Sequence, residues 1–293
     1  PLLLLSIAVN AVFSWFALGE GRGTRAWRFL GVILNLGLLA AFKYGPLFPP
    51  EGAARLPLPI GISFFTIEGI MILLERAPQR PSLLQQFSRT ALLISFFPHL
   101  VSGPIVKARD FFPQIARKSL KEVDWELAFR TLTVGYFLKM VIADNLRQQS
   151  NALQFPQFND YSTLNLVSLV FGYSAQIFAD FAGYSLIAIG LAALFGYRLP
   201  ENFNYPYLAT SFSDFWRRWH ISLSRFLRDY LYLPLGGNRL GRVRTYLNIL
   251  IVMGLGGLWH GAAWSYAVWG LMHGVALVVE RMLPRVGGFG WLK

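Results

Sequence analysis

The 293-residue sequence contains no cysteine. This absence excludes disulfide bonds, thiolate metal sites and a cysteine nucleophile, and it leaves the redox compartment open. Charged residues are scarce as well, at 14%, whereas a soluble globular protein has about 25%. Hydrophobic residues make up 54% of the chain, and the mean hydropathy is +0.43. Together these values predict a polytopic membrane protein.

Acidic residues are the rarer of the two charged classes, with 15 Asp and Glu against 27 Lys and Arg, for a net charge of +12. The basic residues fall between apolar runs, which is typical of cytoplasmic loops beside anionic lipid headgroups. No RNA-binding signature or zinc-finger spacing is present, so we expect membrane lipid, and no nucleic acid, as a partner. The four histidines are scattered without a His-x₃-His pair, so no metal site is predicted.

Long apolar runs predict the membrane-spanning segments, and several of these runs are irregular. The run 90–106 contains Pro98 and is expected to bend or to re-enter the membrane side from which it came. The run 163–197 is too long for one helix, and we expect an interruption at Asp180 and Gly183. Irregular backbone at membrane depth needs protein or a water-filled cavity around it, so these breaks predict a cavity. The candidate spans are 1–18, 29–49, 56–74, 90–106, 127–143, 163–197, 245–259 and 261–282.

The last two spans are separated only by glycines at 256, 257 and 261, which predicts either one broken helix or a tight hairpin. Before them, the segment 211–244 has the pattern of an amphipathic helix in the cytoplasmic interface. Ser213 is its expected cap, with Asp214 in the first turn. The chain begins with Pro1 inside an apolar run, so we expect a fragment. One membrane domain spanning 1–293 is the simplest division.

His260 lies in a stretch, 254–270, whose only other ionisable side chain is Tyr266. A titratable group at membrane depth is costly and is usually retained for a function. Burial disfavours the charged form of an imidazole, so His260 is expected to be neutral and able to accept a proton, as a general base must. The alternative is a core histidine satisfied by one hydrogen bond.

His220 follows Arg217, Arg218 and Trp219, and a solvated interfacial histidine is an equal alternative to a functional one. The arginines have the chemistry to hold phosphates of a coenzyme or headgroup, or to anchor the chain at the membrane surface. His273 and His99 are read as structural.

Two acids in apolar runs, Glu68 and Asp180, are each expected to face a cavity or to pair with a cation such as Lys139. Such a pairing would hold helices together. The sharper alternative is that they orient a histidine.

Six long motifs stand out along the chain: LPIGISFFT (58–66), FFPHLVSGPI (96–105), PENFNYP (200–206), PYLATSFSDFWRRWHISLS (206–224), LRDYLYLPLGGNR (227–239) and GLWHG (257–261). Together they closely resemble the signature of the membrane-bound O-acyltransferase family, in particular its bacterial alginate O-acetyltransferase branch. The resemblance extends over most of the chain, from about residue 56 to 274.

The resemblance implies an all-α fold, a ring of transmembrane helices around a central tunnel, and transfer of an acetyl or other acyl group to a hydroxyl of an exported polysaccharide such as alginate. His260 matches the catalytic histidine and His220 the second histidine of the family. An acyl thioester such as acetyl-CoA is the expected donor, with no tightly bound cofactor. An extracytoplasmic acetyltransferase or acceptor-carrier protein is the expected partner, and the cytoplasmic (inner) membrane the expected location.

Further residues are assigned to substrate or donor binding, and aromatic side chains are expected to wall the tunnel. The alternative for the tryptophans is an interfacial aromatic belt. These residues are Arg218, Trp219, Asn202, Trp259 and Asp180, with Trp264 as a third tunnel-wall tryptophan.

Two other functions stay open at this stage. The first is transfer of a D-alanyl or acyl group to teichoic acid or peptidoglycan. The second is a proton-coupled transporter or flippase, because broken helices and intramembrane acids also suit a proton relay. No inverted repeat is visible in the sequence, which counts against the transporter.

Overall fold

The computed structural model describes residues 1–19, 21–45, 58–75, 80–154 and 156–283. Within these ranges every regular element is a helix, which confirms the all-α prediction. The ends of two predicted spans, 46–49 and 56–57, lie outside the described residues. The α-helices are α1 (Leu2–Ala17), α2 (Arg22–Leu39), α3 (Ile62–Leu74), α4 (Leu83–Ser95), α5 (Ala108–Phe111), α6 (Trp125–Tyr136), α7 (Asp144–Ser150), α8 (Thr163–Leu194), α9 (Phe212–Arg218), α10 (Ile221–Leu227), α11 (Arg242–His260) and α12 (Trp264–Met282).

Shorter helical turns connect or extend these helices. π-helical turns continue α2, α6 and α10, and a π-turn in a helix is often found at a functional site. The π-turns are Ala40–Tyr44, Phe137–Ala143 and Arg228–Tyr232, and the 3₁₀ turns are Phe112–Gln114, Leu120–Glu122, Asn151–Leu153, Gln157–Asp160 and Pro206–Leu208.

The chain divides into two compact units. The first comprises Pro1–Ala40 and Leu58–Asn202, and the second comprises Ala41–Pro57 and Phe203–Lys293. The first unit therefore contains α1 to α8, and the second contains α9 to α12 together with most of the π-turn that follows α2. The single domain and the ring around a tunnel stay predictions.

In the first unit, α1 packs against α2, α3 and α4, and its buried face includes the polar side chains of Ser6, Asn10 and Ser14. Asn10 and Asn35 exchange two hydrogen bonds, of 3.2 and 2.8 Å, between α1 and α2. A buried amide is costly unless it is hydrogen-bonded, so this reciprocal pair fixes the register of the two helices.

The apolar run 90–106 bends as predicted, because α4 ends at Ser95 and Phe97–Gly103 follow as turns and bends. This bend buries His99 beside Glu68 of α3, with 2.9 Å between Nδ1 and Oε1. The partner of Glu68 is thus a histidine and not Lys139. Glu68 contacts an imidazole, as the sharper alternative proposed, and the imidazole is that of His99.

The expected interruption of the run 163–197 is wrong, because α8 is continuous over 32 residues. Gly183 does not break the helix. It provides the close approach to α6, since a Cβ there would stand 2.8 Å from the carbonyl oxygen of Gly135. Asp180 pairs with Lys139 at 2.7 Å, as predicted, and Asp144 binds the same lysine at 2.8 Å. Helix packing and ion pairing therefore accommodate both residues within one helix.

In the second unit, α11 and α12 form a tight hairpin, one of the two predicted alternatives. Gly256 and Gly257 lie inside α11, and the chain reverses over residues 261–263. The two helices meet at glycines: a Cβ on Gly257 would collide with the carbonyl oxygen of Tyr266 and stand 2.9 Å from Cα of Gly270. The hairpin therefore depends on the absence of a side chain at this crossing.

The prediction of a single amphipathic helix in segment 211–244 is wrong about the residue that caps the helix and about its continuity. Ser211, and not Ser213, caps α9 by accepting a hydrogen bond from the Asp214 amide at 3.1 Å. The Ser213 amide instead donates to Glu280 of α12 at 3.0 Å. The helix then breaks at Trp219 and His220 before α10 begins. Asp214 does lie in the first turn, where its negative charge interacts favourably with the helix dipole.

Among the residues that the structure describes, two helices are long and apolar enough to cross a bilayer, Arg22–Tyr44 and Thr163–Leu194. At about 1.5 Å per residue, α8 exceeds the thickness of about 30 Å of a hydrocarbon core. Large apolar side chains are exposed along it, including Leu164 and Phe171. An exposed apolar face of this kind suits contact with lipid.

We predict that Gly257→Ala destabilises the protein by about 1–3 kcal/mol, because the added methyl group must push α11 and α12 apart. Gly172→Ala is the matched control, since this helical glycine has no neighbouring atom within 4 Å of the added Cβ. The control is expected to be neutral or stabilising by up to about 1 kcal/mol. Thermal unfolding in detergent measures both, and equal stability of the two variants would contradict the packing described.

Candidate active site

His220 occupies a sharp turn between α9 and α10. Its φ is 43°, in the left-handed region that few residues other than glycine adopt. Its carbonyl accepts the Ser224 amide at 3.0 Å, which begins α10, and its side chain is only 1% exposed. Strained backbone of this kind is often retained at functional sites, and here it directs an imidazole into the protein interior.

His260 is the last residue of α11, and the fold brings it next to His220. The centroids of the two imidazole rings are 6.1 Å apart, with their planes inclined at 61°. The two histidines are separated by 40 positions in the sequence. The helical hairpin and the α9–α10 turn therefore create one site from the two residues that the sequence singled out.

Aromatic side chains surround the two histidines. The ring of Trp259 is 5.1 Å from that of His260 and 6.1 Å from that of His220. Trp269 of α12 meets His260 edge to face at 5.5 Å. These rings restrict how each imidazole can turn and keep most of the surroundings apolar.

The aromatic cluster continues from Trp269 to His273 at 4.9 Å and from His273 to Trp216 at 5.2 Å. His273, read from sequence as structural, thus packs against the same tryptophans. Neither its Nδ1 nor Nε1 of Trp216 has a hydrogen-bond partner within the described part of the chain.

A cavity of about 180 Å³ opens beside His260. Its lining is largely apolar, with Leu, Ile, Val, Met and Trp side chains, and both Trp216 and Trp269 contribute to it. The polar side chains in its wall are His260, Ser224, Arg228 and Tyr232. A largely apolar cavity with an imidazole in its wall suits a reaction in which water would compete as a nucleophile.

Burial determines the protonation of His220, which lies outside the two helices long enough to span a bilayer. Removal from water, and secondarily the nearby His260, lower the pKa of His220 well below its ordinary value of 6.5. His220 is therefore neutral at pH 7. In this state one ring nitrogen can accept a proton or a hydrogen bond.

The other sequence-predicted site residues divide between the two units. Arg218, Trp219 and Trp259 belong to the second unit with both histidines, whereas Asn202 and Asp180 belong to the first. Asn202 is buried and donates to Ser185 at 3.0 Å. The hydrogen bond of Asn202 and the ion pair of Asp180 with Lys139 hold these two side chains in place. Their roles in substrate binding stay predictions.

Arg218 is engaged within its own unit. Its Nε donates to Asp214 at 2.8 Å, and its Nη1 donates to the Asn204 carbonyl at 3.4 Å. Trp219 stacks on Phe215 with ring centroids 5.5 Å apart. Trp264 is 68% exposed at the start of α12. The tryptophans that line the cavity beside His260 are Trp216 and Trp269, which sequence reasoning did not single out.

Sequence reasoning also missed Lys43 and Tyr44. Lys43 Nζ donates to the Trp259 carbonyl, and Tyr44 Oη donates to the Leu258 carbonyl at 2.7 Å. The available signal was a lone lysine in the apolar run 29–49. Within the described ranges, no group of three His, Asp or Glu side chains has a metal-binding arrangement.

Comparison with known proteins identifies the family. The sequence profile of MBOAT, the membrane-bound O-acyltransferase family, matches residues 67–286. A peptidoglycan O-acetyltransferase of Helicobacter pylori is 37% identical, over 96% of this chain and 60% of its own length. A probable alginate O-acetylase of Pseudomonas aeruginosa is also 37% identical, over 97% of this chain and 59% of its own.

A teichoic acid D-alanyltransferase of Bacillus subtilis is 30% identical, over 82% of this chain and 62% of its own length. The chain thus spans about three fifths of the length of these curated relatives. The family profile covers most of the chain, and the motifs around both histidines lie inside the matched range. The chain therefore belongs to the membrane-bound O-acyltransferase family.

Proposed function

We propose that this chain carries the reaction site of a membrane-embedded enzyme that transfers an acyl group, most simply acetyl, to a hydroxyl of an exported polysaccharide. The observation that carries the proposal is the pairing of His260 with His220 beside a largely apolar cavity. Family membership supports the reaction class, because relatives named for O-acetyl and D-alanyl transfer match 96%, 97% and 82% of the chain.

In the proposed reaction, a ring nitrogen of the neutral His260 imidazole accepts the proton of the acceptor hydroxyl. At the same time the hydroxyl oxygen attacks the carbonyl carbon of the acyl group. A new C–O bond forms and the carbon–sulfur bond of the thioester donor breaks. The imidazolium then returns the proton to the departing thiolate, so that the histidine ends neutral. General base catalysis supplies about 10²–10⁴-fold, and positioning and water exclusion must supply much of the remainder.

His220 acts with His260, either by orienting the donor or in a second proton step. Its fixed left-handed turn and its burial hold the imidazole in one place, which suits orientation. Arg228 lies in the cavity wall, and Arg218 is the last residue of α9. Either guanidinium has the donor geometry to bind phosphate groups of a coenzyme such as acetyl-CoA.

The acceptor is proposed as a polysaccharide of the alginate type, with an extracytoplasmic acetyltransferase or acceptor-carrier protein as partner and the inner membrane as location, crossed by several helices. Peptidoglycan is equally supported as the acceptor, since the peptidoglycan O-acetyltransferase and the probable alginate O-acetylase have the same sequence identity to this chain, 37%. D-alanyl transfer to teichoic acid is the weaker alternative. A transporter or flippase would move its substrate without acylating it, so product analysis separates it from the enzyme.

We predict that His260→Ala lowers acetyl transfer by at least about 10²-fold in the full-length parent, because the proton acceptor is lost. His220→Ala is expected to lower it less. Transfer of labelled acetyl groups to polymer, per folded molecule, is the measurement. His99→Gln is the control: it also removes a buried imidazole, but its rate per folded molecule should be unchanged. Activity of His260→Ala within about threefold of the parent would reject the role of base.

A second prediction concerns pH and stability. At pH values well above the ordinary pKa of 6.5 the imidazole of His220 is neutral in both folded and unfolded chains, so it has no effect on the pH dependence of unfolding. Below that value the unfolded chain binds a proton that the folded site resists, and stability is lost as pH falls.

Between about pH 6.5 and 5.5 the parent should lose about 1 kcal/mol more unfolding free energy than His220→Gln. Unfolding in detergent at several pH values measures this difference. Parallel curves for the parent and the variant would show that burial does not disfavour the charged imidazole.

A further inference from the structure

We propose that Lys43 and Tyr44 are positioning residues: they bind the last carbonyls of α11 and thereby fix the ring of His260. This inference rests on the proposed function, in which His260 is the base. Its central observation is the pair of hydrogen bonds that the π-turn Ala40–Tyr44 donates to the carbonyls of Leu258 and Trp259, the two residues directly before His260.

The end of α11 needs such donors. The last four carbonyls of an α-helix have no amide partner within the helix. Many helices solve this with a left-handed residue after the last turn, whose amide binds back to the carbonyls. Gly261, which follows α11, is instead extended, with φ of −160°. Two of these carbonyls, those of Leu258 and Trp259, instead bind side-chain donors from elsewhere in the unit.

Lys43 and Tyr44 supply two of these donors. Tyr44 Oη binds the Leu258 carbonyl at 2.7 Å, and Lys43 Nζ binds the Trp259 carbonyl. Lys43 Nζ also lies over the ring of Trp259, 5.6 Å from its centroid. Since the Trp259 ring contacts both His260 and His220, both contacts of Lys43 act on a residue that touches the site. Tyr44 holds the residue directly before it.

The placement of Lys43 is costly, which argues for a function. The lysine is 7% exposed and belongs to a helix that is apolar enough to span a bilayer. Basic residues in such helices are rare, pair with backbone carbonyls and mark functional pathways. A methionine or leucine at this position would pack without the desolvation cost of the amine, but it would leave the carbonyl of Trp259 without this donor.

The test compares Lys43→Met, Lys43→Arg and Tyr44→Phe in the full-length protein. Lys43→Met should lower kcat by about 10–100-fold, because small displacements of a catalytic group cost rate, while KM stays within about twofold. Lys43→Arg should recover part of the loss. Tyr44→Phe, which removes a single hydroxyl, should show a smaller fall in kcat, and it replaces Lys43→Met as the test if that variant does not fold.

Lys118→Met is the matched control. Lys118 Nζ donates to the carbonyl of Gly196, just after α8, and lies over the ring of Tyr197 at 4.6 Å. The same pair of contacts is thus present at a helix end that holds no histidine of the site. Its loss should leave kcat unchanged. If Lys43→Met and Tyr44→Phe lose no more activity per folded molecule than Lys118→Met, the positioning role is refuted.

A second readout does not depend on activity. The rate at which diethyl pyrocarbonate modifies residue 260, followed by peptide mass spectrometry, reports the exposure of that imidazole. Lys43→Met and Tyr44→Phe should raise this rate, whereas Lys118→Met should not, and His99 should react at the same rate in all variants.

The two readouts separate the two proposals. If His260→Ala retains activity, the proposed function fails, yet a raised modification rate in Lys43→Met still supports positioning. If His260→Ala is inactive but the modification rate matches that of the Lys118 control, the positioning role is refuted and the proposed function stands.

Discussion

The candidate site depends on one constraint: a polar helix end shielded from water must find its partners within the protein. α11 ends at His260, and two of its last carbonyls, those of Leu258 and Trp259, are bound by the side chains of Lys43 and Tyr44. The same ending leaves the His260 imidazole beside a largely apolar cavity. Because unsatisfied carbonyls are costly in such surroundings, the end of the helix has little freedom to move. The position of the proposed base is thus a consequence of how the backbone is satisfied.

The second histidine is fixed by a different use of the backbone. At His220 the chain adopts a left-handed turn, which ends α9 and begins α10. A straight amphipathic helix, as the sequence pattern predicted, would not impose this orientation on the imidazole. The glycine contact between α11 and α12 then brings Trp269 against His260. Backbone strain at His220 and the absence of a side chain at Gly257 therefore shape the same site.

Much of this arrangement could be predicted from residue types. The helical class, the pairing of Asp180 with Lys139, the hairpin after residue 244 and both site histidines follow from composition, from the cost of isolated charges and from a family motif. What could not be predicted depends on contacts between distant residues. The binding of Lys43 to the carbonyl of Trp259 joins positions 216 apart, and the continuity of α8 at Gly183 depends on its contact with α6. Local patterns contain no information about either.

The central claim is that acyl transfer takes place at the cavity beside His260. The most direct measurement is a structure of the full-length protein with a thioether analogue of acetyl-CoA, which cannot transfer its acyl group. We expect the acyl carbonyl in the cavity, with the imidazole of His260 close enough to its carbon that an acceptor hydroxyl placed for attack would be within hydrogen-bond reach of the ring, directly or through one water. An acyl group bound elsewhere, beyond that reach, would contradict the claim.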